Sequence, residues 1–183
     1  MLTRLKTVTI FAALAAIAAL GATVANSGAA TTMPVEQNKP APEFTGIDKW
    51  LNSEPLTMQQ LHGKVVLVDF WTYTCINCIH TLPQVESWHQ KYKNQGLVVV
   101  GVHTPEYPFE RDTKKVSAAI AKYGLHYPVA QDNQYATWNA YGNQYWPAFY
   151  LIDKKGGVVY SHFGEGDYEK TEAAIREQLA KAD

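Results

Sequence analysis

The chain has 183 residues, 46% of them hydrophobic and 18% charged, with a formal net charge of −1. This is globular composition, not disordered, collagenous or repetitive, and the length suits one compact domain. Two cysteines exclude a disulfide-dense fold and any four-cysteine zinc or iron–sulfur site, and the near-neutral charge argues against nucleic acid as a partner.

Residues 1–25 read as an export signal. Arg4 and Lys6 open it, Val8 to Leu20 is apolar except for Thr9, and the small residues Ala22-Thr23-Val24-Ala25 follow. That is a positive start, an apolar core and a cleavage site in order. The core is short for a bilayer span, which needs about 20 residues. An uncleaved anchor is the alternative, because residues 21–25 extend the run, and membrane contact is expected only then. Export places the working protein outside the cytosol, periplasmic or secreted, where thiols can be oxidised. Residues 26–40 are rich in Ala, Thr, Ser and Pro without periodicity and read as a flexible tether. The folded domain is expected at 41–183.

Val65–Trp71 is a near-continuous apolar run that suits a strand buried on both faces, and Leu97–His103 is a second. Between them Ile79, Leu82, Val85, Trp88 and Tyr92 recur at spacings of three and four, which predicts a helix closed by Gly96. Strand, crossover helix and strand make a right-handed parallel βαβ unit. A second helix carries Val116, Ala119, Ile120 and Tyr123 on one stripe and ends at Gly124. A short strand is expected at 127–131 and a short helix at 135–141. Residues 148–153 and 158–163 flank Lys154-Lys155-Gly156-Gly157 and predict a β-hairpin. A last helix runs from Tyr168 to Ala180 with Ile175 and Leu179 inward.

Both cysteines stand in Cys75-Ile76-Asn77-Cys78, at the junction of a buried strand and a helix. On a helical turn, residues three apart share a face, so the two sulfurs can close a small disulfide ring. A thiol at a helix N-terminus meets unpaired backbone N–H groups and the positive end of the dipole, which favour the thiolate. The thiolate is the nucleophile of disulfide exchange. A bare Cys-x-x-Cys is a moderate signal; strand, motif and helix inside a βαβ unit make it a strong one.

The segment Val68-Asp69-Phe70-Trp71-Thr72-Tyr73-Thr74-Cys75-Ile76-Asn77-Cys78 resembles the active-site segment of the thioredoxin superfamily. Pro83 matches the proline in the helix after the motif, and Trp146-Pro147 matches the superfamily's cis-proline site. Residues 127–141 resemble the strand and helix inserted in the extracytoplasmic TlpA/ResA branch. The motif, together with His103-Thr104-Pro105-Glu106 and Gly164-Glu165-Gly166-Asp167-Tyr168, looks closest to the thioredoxin-like module of DipZ-type proteins. The resemblance covers roughly residues 41–179. It implies a three-layer α/β fold, a mixed central sheet flanked by helices with an inserted strand–helix. It also implies an extracytoplasmic thiol–disulfide oxidoreductase without a bound cofactor. Substrates would be protein thiols and disulfides of the envelope, including apocytochromes being prepared for haem, acted on in the reducing direction, with a membrane thiol reductase as electron donor. Two positions depart from thioredoxin. Thr74 stands where many members have Trp, and Ile76-Asn77 replaces Gly-Pro. The intervening pair tunes a potential that spans roughly 150 mV across such enzymes, or about 7 kcal/mol for two electrons.

Cys75 is expected to attack and Cys78 to resolve. A permanent disulfide is the bland alternative, but so local a bridge restrains little chain. Asp69 interrupts an apolar strand; buried without a partner, its pKa should rise, and it could relay protons to Cys78. Pro147, if cis, leaves neighbouring backbone groups free to pair with a substrate strand, and Trp146, Ile76 and Asn77 would line that groove. Trp146 could equally serve core packing, as Trp71 is expected to do. His80 with Cys75 and Cys78 makes an incomplete zinc set, and Ile79 stands where haem attachment would need His. His103, at the end of the neighbouring strand, and Glu106 are candidates to act near the thiols. Nothing in the chain is a dinucleotide-binding glycine motif. Two other functions compete. A peroxiredoxin-type peroxidase shares Thr72-x-x-Cys75, but Val68 replaces its upstream Pro. A copper chaperone would space its cysteines by three residues and add a distant His.

Overall fold

The computed structural model describes residues 39–182. Residues 1–38 lie outside that range, and with them the export signal and nearly all of the tether. Lys39 and Pro40, the last two tether positions, already pair with the main body. The Val158 N–H donates to the Lys39 carbonyl at 2.9 Å, and Pro40 forms an isolated bridge with Gly157.

Six strands form one sheet: β1 (Lys49–Leu51), β2 (Val65–Trp71), β3 (Leu97–His103), β4 (Val129–Gln131), β5 (Ala148–Ile152) and β6 (Val158–Phe163). Their spatial order is β1-β4-β3-β2-β5-β6. The central three run parallel, with β2 against β3 in register from Val65↔Leu97 to Trp71↔His103. The outer strands β1, β5 and β6 are antiparallel to their neighbours. The helices are α1 (Ile76–Tyr92), α2 (Thr113–Tyr123), α3 (Ala136–Ala140) and α4 (Tyr168–Ala180). The mixed sheet, the hairpin and the inserted β4–α3 unit thus stand where the pattern predicts them.

β2 is buried along its whole length, which explains its unbroken apolar sequence. Its side chains alternate between two cores. Val65, Leu67 and Trp71 join α1, α2 and α4 residues such as Leu82, Trp88, Val116, Ile120 and Ile175. Val66, Val68 and Phe70 face the other way, against Phe44, Leu61 and Trp138. One layer is therefore three helices; the other is α3 plus the irregular chain on either side of β1, which supplies Phe44 and Leu61. Ile175 faces inward as expected, while Leu179 is half-buried at the core's edge.

Two glycines are required by geometry. Gly124 ends α2 at φ +63, where its N–H donates back to Ile120 and Ala121 carbonyls. Gly101, on β3, stands beside Asp69 of β2. A Cβ there would lie 2.9 Å from Tyr127 Cε2 and 3.0 Å from Trp71 Nε1. Both neighbours are rigid, fully buried rings, so the strain cannot be shed by a flexible side chain. Gly101→Ala is therefore expected to destabilise the reduced protein by about 1–3 kcal/mol, read as a lower urea midpoint at unchanged slope. A shift equivalent to less than about 0.5 kcal/mol would contradict the packing described.

Candidate active site

Cys75 caps α1. It is in extended conformation, and its Sγ accepts the backbone N–H of Cys78 at 3.4 Å. Cys75 is half-buried, whereas Cys78 is buried on the inner face of the first turn. Both sulfurs are free thiols. Their shared turn drives their proton affinities apart. The Cys78 thiol hydrogen-bonded to Cys75 is the largest influence on Cys75, and the backbone N–H groups of Cys78 and Asn77 add to it. Partial burial and the Glu106 charge oppose them, and the net effect lowers the Cys75 pKa to about 7. Cys78 moves the other way. Burial raises it most, followed by its bond to Cys75, with the charges on Cys75 and Asp69 pushing further in the same direction.

Asp69 lies on the same face of β2 as Leu67 and Trp71, toward the core that holds Cys78. It is 1% exposed, and neither carboxyl oxygen has a hydrogen-bond partner. Burial first, and the Cys75 charge second, raise its pKa to about 8. Gly101, its register partner on β3, places no side chain beside it. The Tyr127 hydroxyl and Trp71 Nε1 are likewise buried without partners, so Asp69 shares its pocket with neutral polar groups.

The Trp146–Pro147 peptide bond is cis. The Trp146 carbonyl lies 3.9 Å from Cys75 Sγ, which brings this loop against the more exposed of the two sulfurs. Trp146 serves two ends. Its ring packs on Trp138 at 4.1 Å, and its Nε1–H donates to the Thr104 carbonyl at 3.0 Å. Ile76 and Asn77 are exposed between the cysteines, and the Asn77 carbonyl accepts the Thr81 hydroxyl at 2.7 Å.

Sequence reasoning missed Glu110. It is fully buried at the end of a 3-10 turn (Pro108–Arg111) and accepts the backbone N–H groups of Glu106 (2.6 Å) and Tyr107 (3.0 Å). The Thr74 hydroxyl makes a short hydrogen bond to it, and Thr72 adds a further one. Burial works against its ionisation most strongly, yet these donors outweigh it and hold its pKa below the ordinary value. The only hint in sequence was an acidic residue two positions after Pro108, which resembles a helix start.

His103 sits near this network rather than at the sulfurs. Its Nε2 is 3.3 Å from the Thr72 hydroxyl, and its ring stacks on Tyr73 at 5.6 Å and meets Trp71 edge-on. Burial lowers its pKa to about 4, so it is neutral and braces the residues before Cys75. Glu106 is exposed; it reaches the thiols only through its charge. His80 pairs with Glu165 at 3.2 Å on the surface. Among the described residues no cluster of His, Cys, Asp and Glu is arranged to hold a metal ion.

The lone Asp69 ties stability to pH. Its folded pKa is raised above the unfolded value near 3.8, so between those values the folded state binds the extra proton. Stability from this group is present below about pH 4 and is lost as pH rises through about 8. Asp69→Asn removes that loss. The variant should overtake the parent by roughly 2–5 kcal/mol at pH 8.5 in urea unfolding of the reduced proteins; parallel stability–pH curves would contradict an unpaired carboxyl.

Comparison with known proteins agrees with this geometry. Residues 36–179 match the family described as Redoxin. Protein DipZ of Mycobacterium tuberculosis is 52% identical over 145 residues, which are 78% of this chain and 21% of DipZ, so the chain spans about a fifth of that relative. Thiol-disulfide oxidoreductase YkuV of Bacillus subtilis is 34% identical, over 79% of this chain and 97% of YkuV. A solution structure of a thioredoxin-like protein in its oxidised form matches with a TM-score of 0.73 and 33% identity, over 80% of this chain and 98% of that one. The chain belongs to the redoxin family and has the thioredoxin-like fold of its TlpA/ResA branch, with its two cysteines at the start of α1.

Proposed function

We propose that the protein reduces disulfides of envelope proteins, with Cys75 as nucleophile, Cys78 as resolving thiol and Asp69 as the proton acceptor behind them. The observation that carries this reading is the contrast between the two sulfurs: one half-exposed with a pKa of about 7, the other buried with a raised pKa. The Cys75 thiolate attacks one sulfur of the substrate disulfide. That bond breaks, the other substrate sulfur leaves as thiolate, and a mixed disulfide to Cys75 forms. Cys78 then gives its proton to Asp69 and attacks Cys75 Sγ, releasing the second substrate sulfur. Two electrons pass from the dithiol to the substrate, leaving a Cys75–Cys78 disulfide.

The Cys75 charge helps hold a proton on Asp69. Forming the mixed disulfide removes that charge, so more of Asp69 is ionised when Cys78 needs a base. Trp146 and Pro147 on one side, with Ile76 and Asn77 on the other, form the face on which a substrate backbone would lie. A membrane thiol reductase would restore the dithiol, and apocytochromes are among the substrates this reading admits.

The location rests on the sequence: residues 1–25 as export signal, 26–40 as tether and 41–183 as the working domain. No helix among the described residues is long and apolar enough to cross a membrane.

Cys78→Ala is expected to accumulate Cys75 mixed disulfides with protein partners, seen as dithiothreitol-sensitive adducts on non-reducing gels. Cys75→Ala should form none and should lose more than about 100-fold in disulfide reduction. Absence of adducts, with Cys75→Ala still active, would defeat the assignment. Titration of the pair against glutathione tests the direction: a potential well below that of the glutathione couple supports a reductase, and one well above it an oxidant.

A further inference from the structure

Among the described residues the large apolar side chains left exposed are Ile76, Tyr107, Phe109 and Tyr145. Single exposed apolar residues scattered over a surface need no explanation; a group around one site does. Ile76 lies between the cysteines, and Tyr145 precedes Trp146-Pro147. Tyr107 and Phe109 belong to the loop after β3, which borders Cys75 through the Thr104 carbonyl under Trp146 and the Glu110 carboxylate under Thr74.

Tyr107 and Phe109 are 49% and 51% exposed, yet their rings are not loose. They stack with centroids 5.6 Å apart and planes 2° from parallel, and the Lys115 ammonium stands 5.7 Å from the Phe109 ring. The buried Glu110 carboxylate holds the turn that carries them, through the N–H groups of Glu106 and Tyr107. The Tyr73 hydroxyl donates to the Phe109 carbonyl at 3.2 Å. Thr74 and Tyr73, the two residues before the nucleophile, therefore fix the aromatic pair relative to Cys75. The stacked pair still leaves about half of each ring facing water. A partner that arrives at Cys75 gains a preformed aromatic platform, with no side-chain ordering left to do.

We propose that Tyr107 and Phe109 form a subsite that favours disulfide substrates carrying a large aromatic side chain near the target cysteine. The occupant is an extended polypeptide segment. It is the same partner that must reach Cys75, and the turn that carries the platform is hydrogen-bonded to the two residues before that sulfur. Tyr73, two positions before Cys75, bridges to the platform through the Phe109 carbonyl. An aromatic ring fits better than an aliphatic one, because stacked π-faces and ring edges match in offset or edge-on contacts. This inference rests on Cys75 being the attacking sulfur.

The test uses the full chain and two peptides with the same intramolecular disulfide, one with Trp four residues from the first cysteine and one with Gly there. The parent protein is expected to show a kcat/KM about tenfold higher for the Trp peptide. In the Tyr107→Ser/Phe109→Ser double variant that ratio should fall to about one, and Phe109→Tyr should keep it. A ratio near one in the parent, or a ratio unchanged in the double variant, would overturn the subsite; loss of rate on both peptides alike leaves the ratio unchanged and so counts against it. Failure of the parent to reduce either peptide would instead overturn the redox reading, and the subsite with it.

Discussion

The first turn of α1 makes two chemically identical thiols unequal. Backbone N–H groups that have no partner inside the helix point at Cys75, and the neighbouring Cys78 thiol donates to it. Cys78, one turn on, faces the core and is denied both water and donors of comparable strength. An exposed thiolate beside a buried thiol is what sequential disulfide exchange requires, since one sulfur must attack at neutral pH and the other must wait. The rest of the fold serves to hold that turn. β2 delivers it from the middle of the sheet, the Trp146–Pro147 loop lies against Cys75, and the loop after β3 is bonded to that loop at Thr104 and to the motif at Thr74.

Two buried carboxylates show how context decides the fate of one functional group. Glu110 collects donors from Thr72, Thr74, Glu106 and Tyr107 and stays ionised. Asp69 has none, and Gly101 beside it admits Tyr127 and Trp71 where a cation might have stood. Hydrogen bonding lowers one pKa and desolvation raises the other. The first group gives rigidity to the approach to Cys75. The second gives a proton site whose occupancy responds to the charge on Cys75 itself.

Much of this was legible in the chain. Burial on both faces writes itself as an unbroken apolar run, so β2 and β3 were plain; three-and-four spacing gave α1, and the glycines after α1 and α2 marked their ends. Asp69 was visible because it violates an apolar strand. The Glu110 network was not, because its partners are hydroxyls and backbone N–H groups, with Thr74 36 positions away. No residue-type signature marks such a set. Gly101 was equally silent: its reason is a ring from beyond β3, Tyr127, that only the tertiary structure brings beside it. The second layer over the sheet also escaped periodicity, since Phe44 and Leu61 lie in irregular chain. His103 drew attention by its place at a strand end, yet its contacts are with Thr72 and Tyr73 rather than sulfur.

The inequality of the two sulfurs can be read directly from thiolate absorbance near 240 nm as the reduced protein is titrated. The account predicts one thiolate appearing with a midpoint near pH 7, lost in Cys75→Ala, and no second step below about pH 10. Two equivalent steps near the ordinary cysteine value of about 8.5, or a low step that survives loss of Cys75, would contradict it.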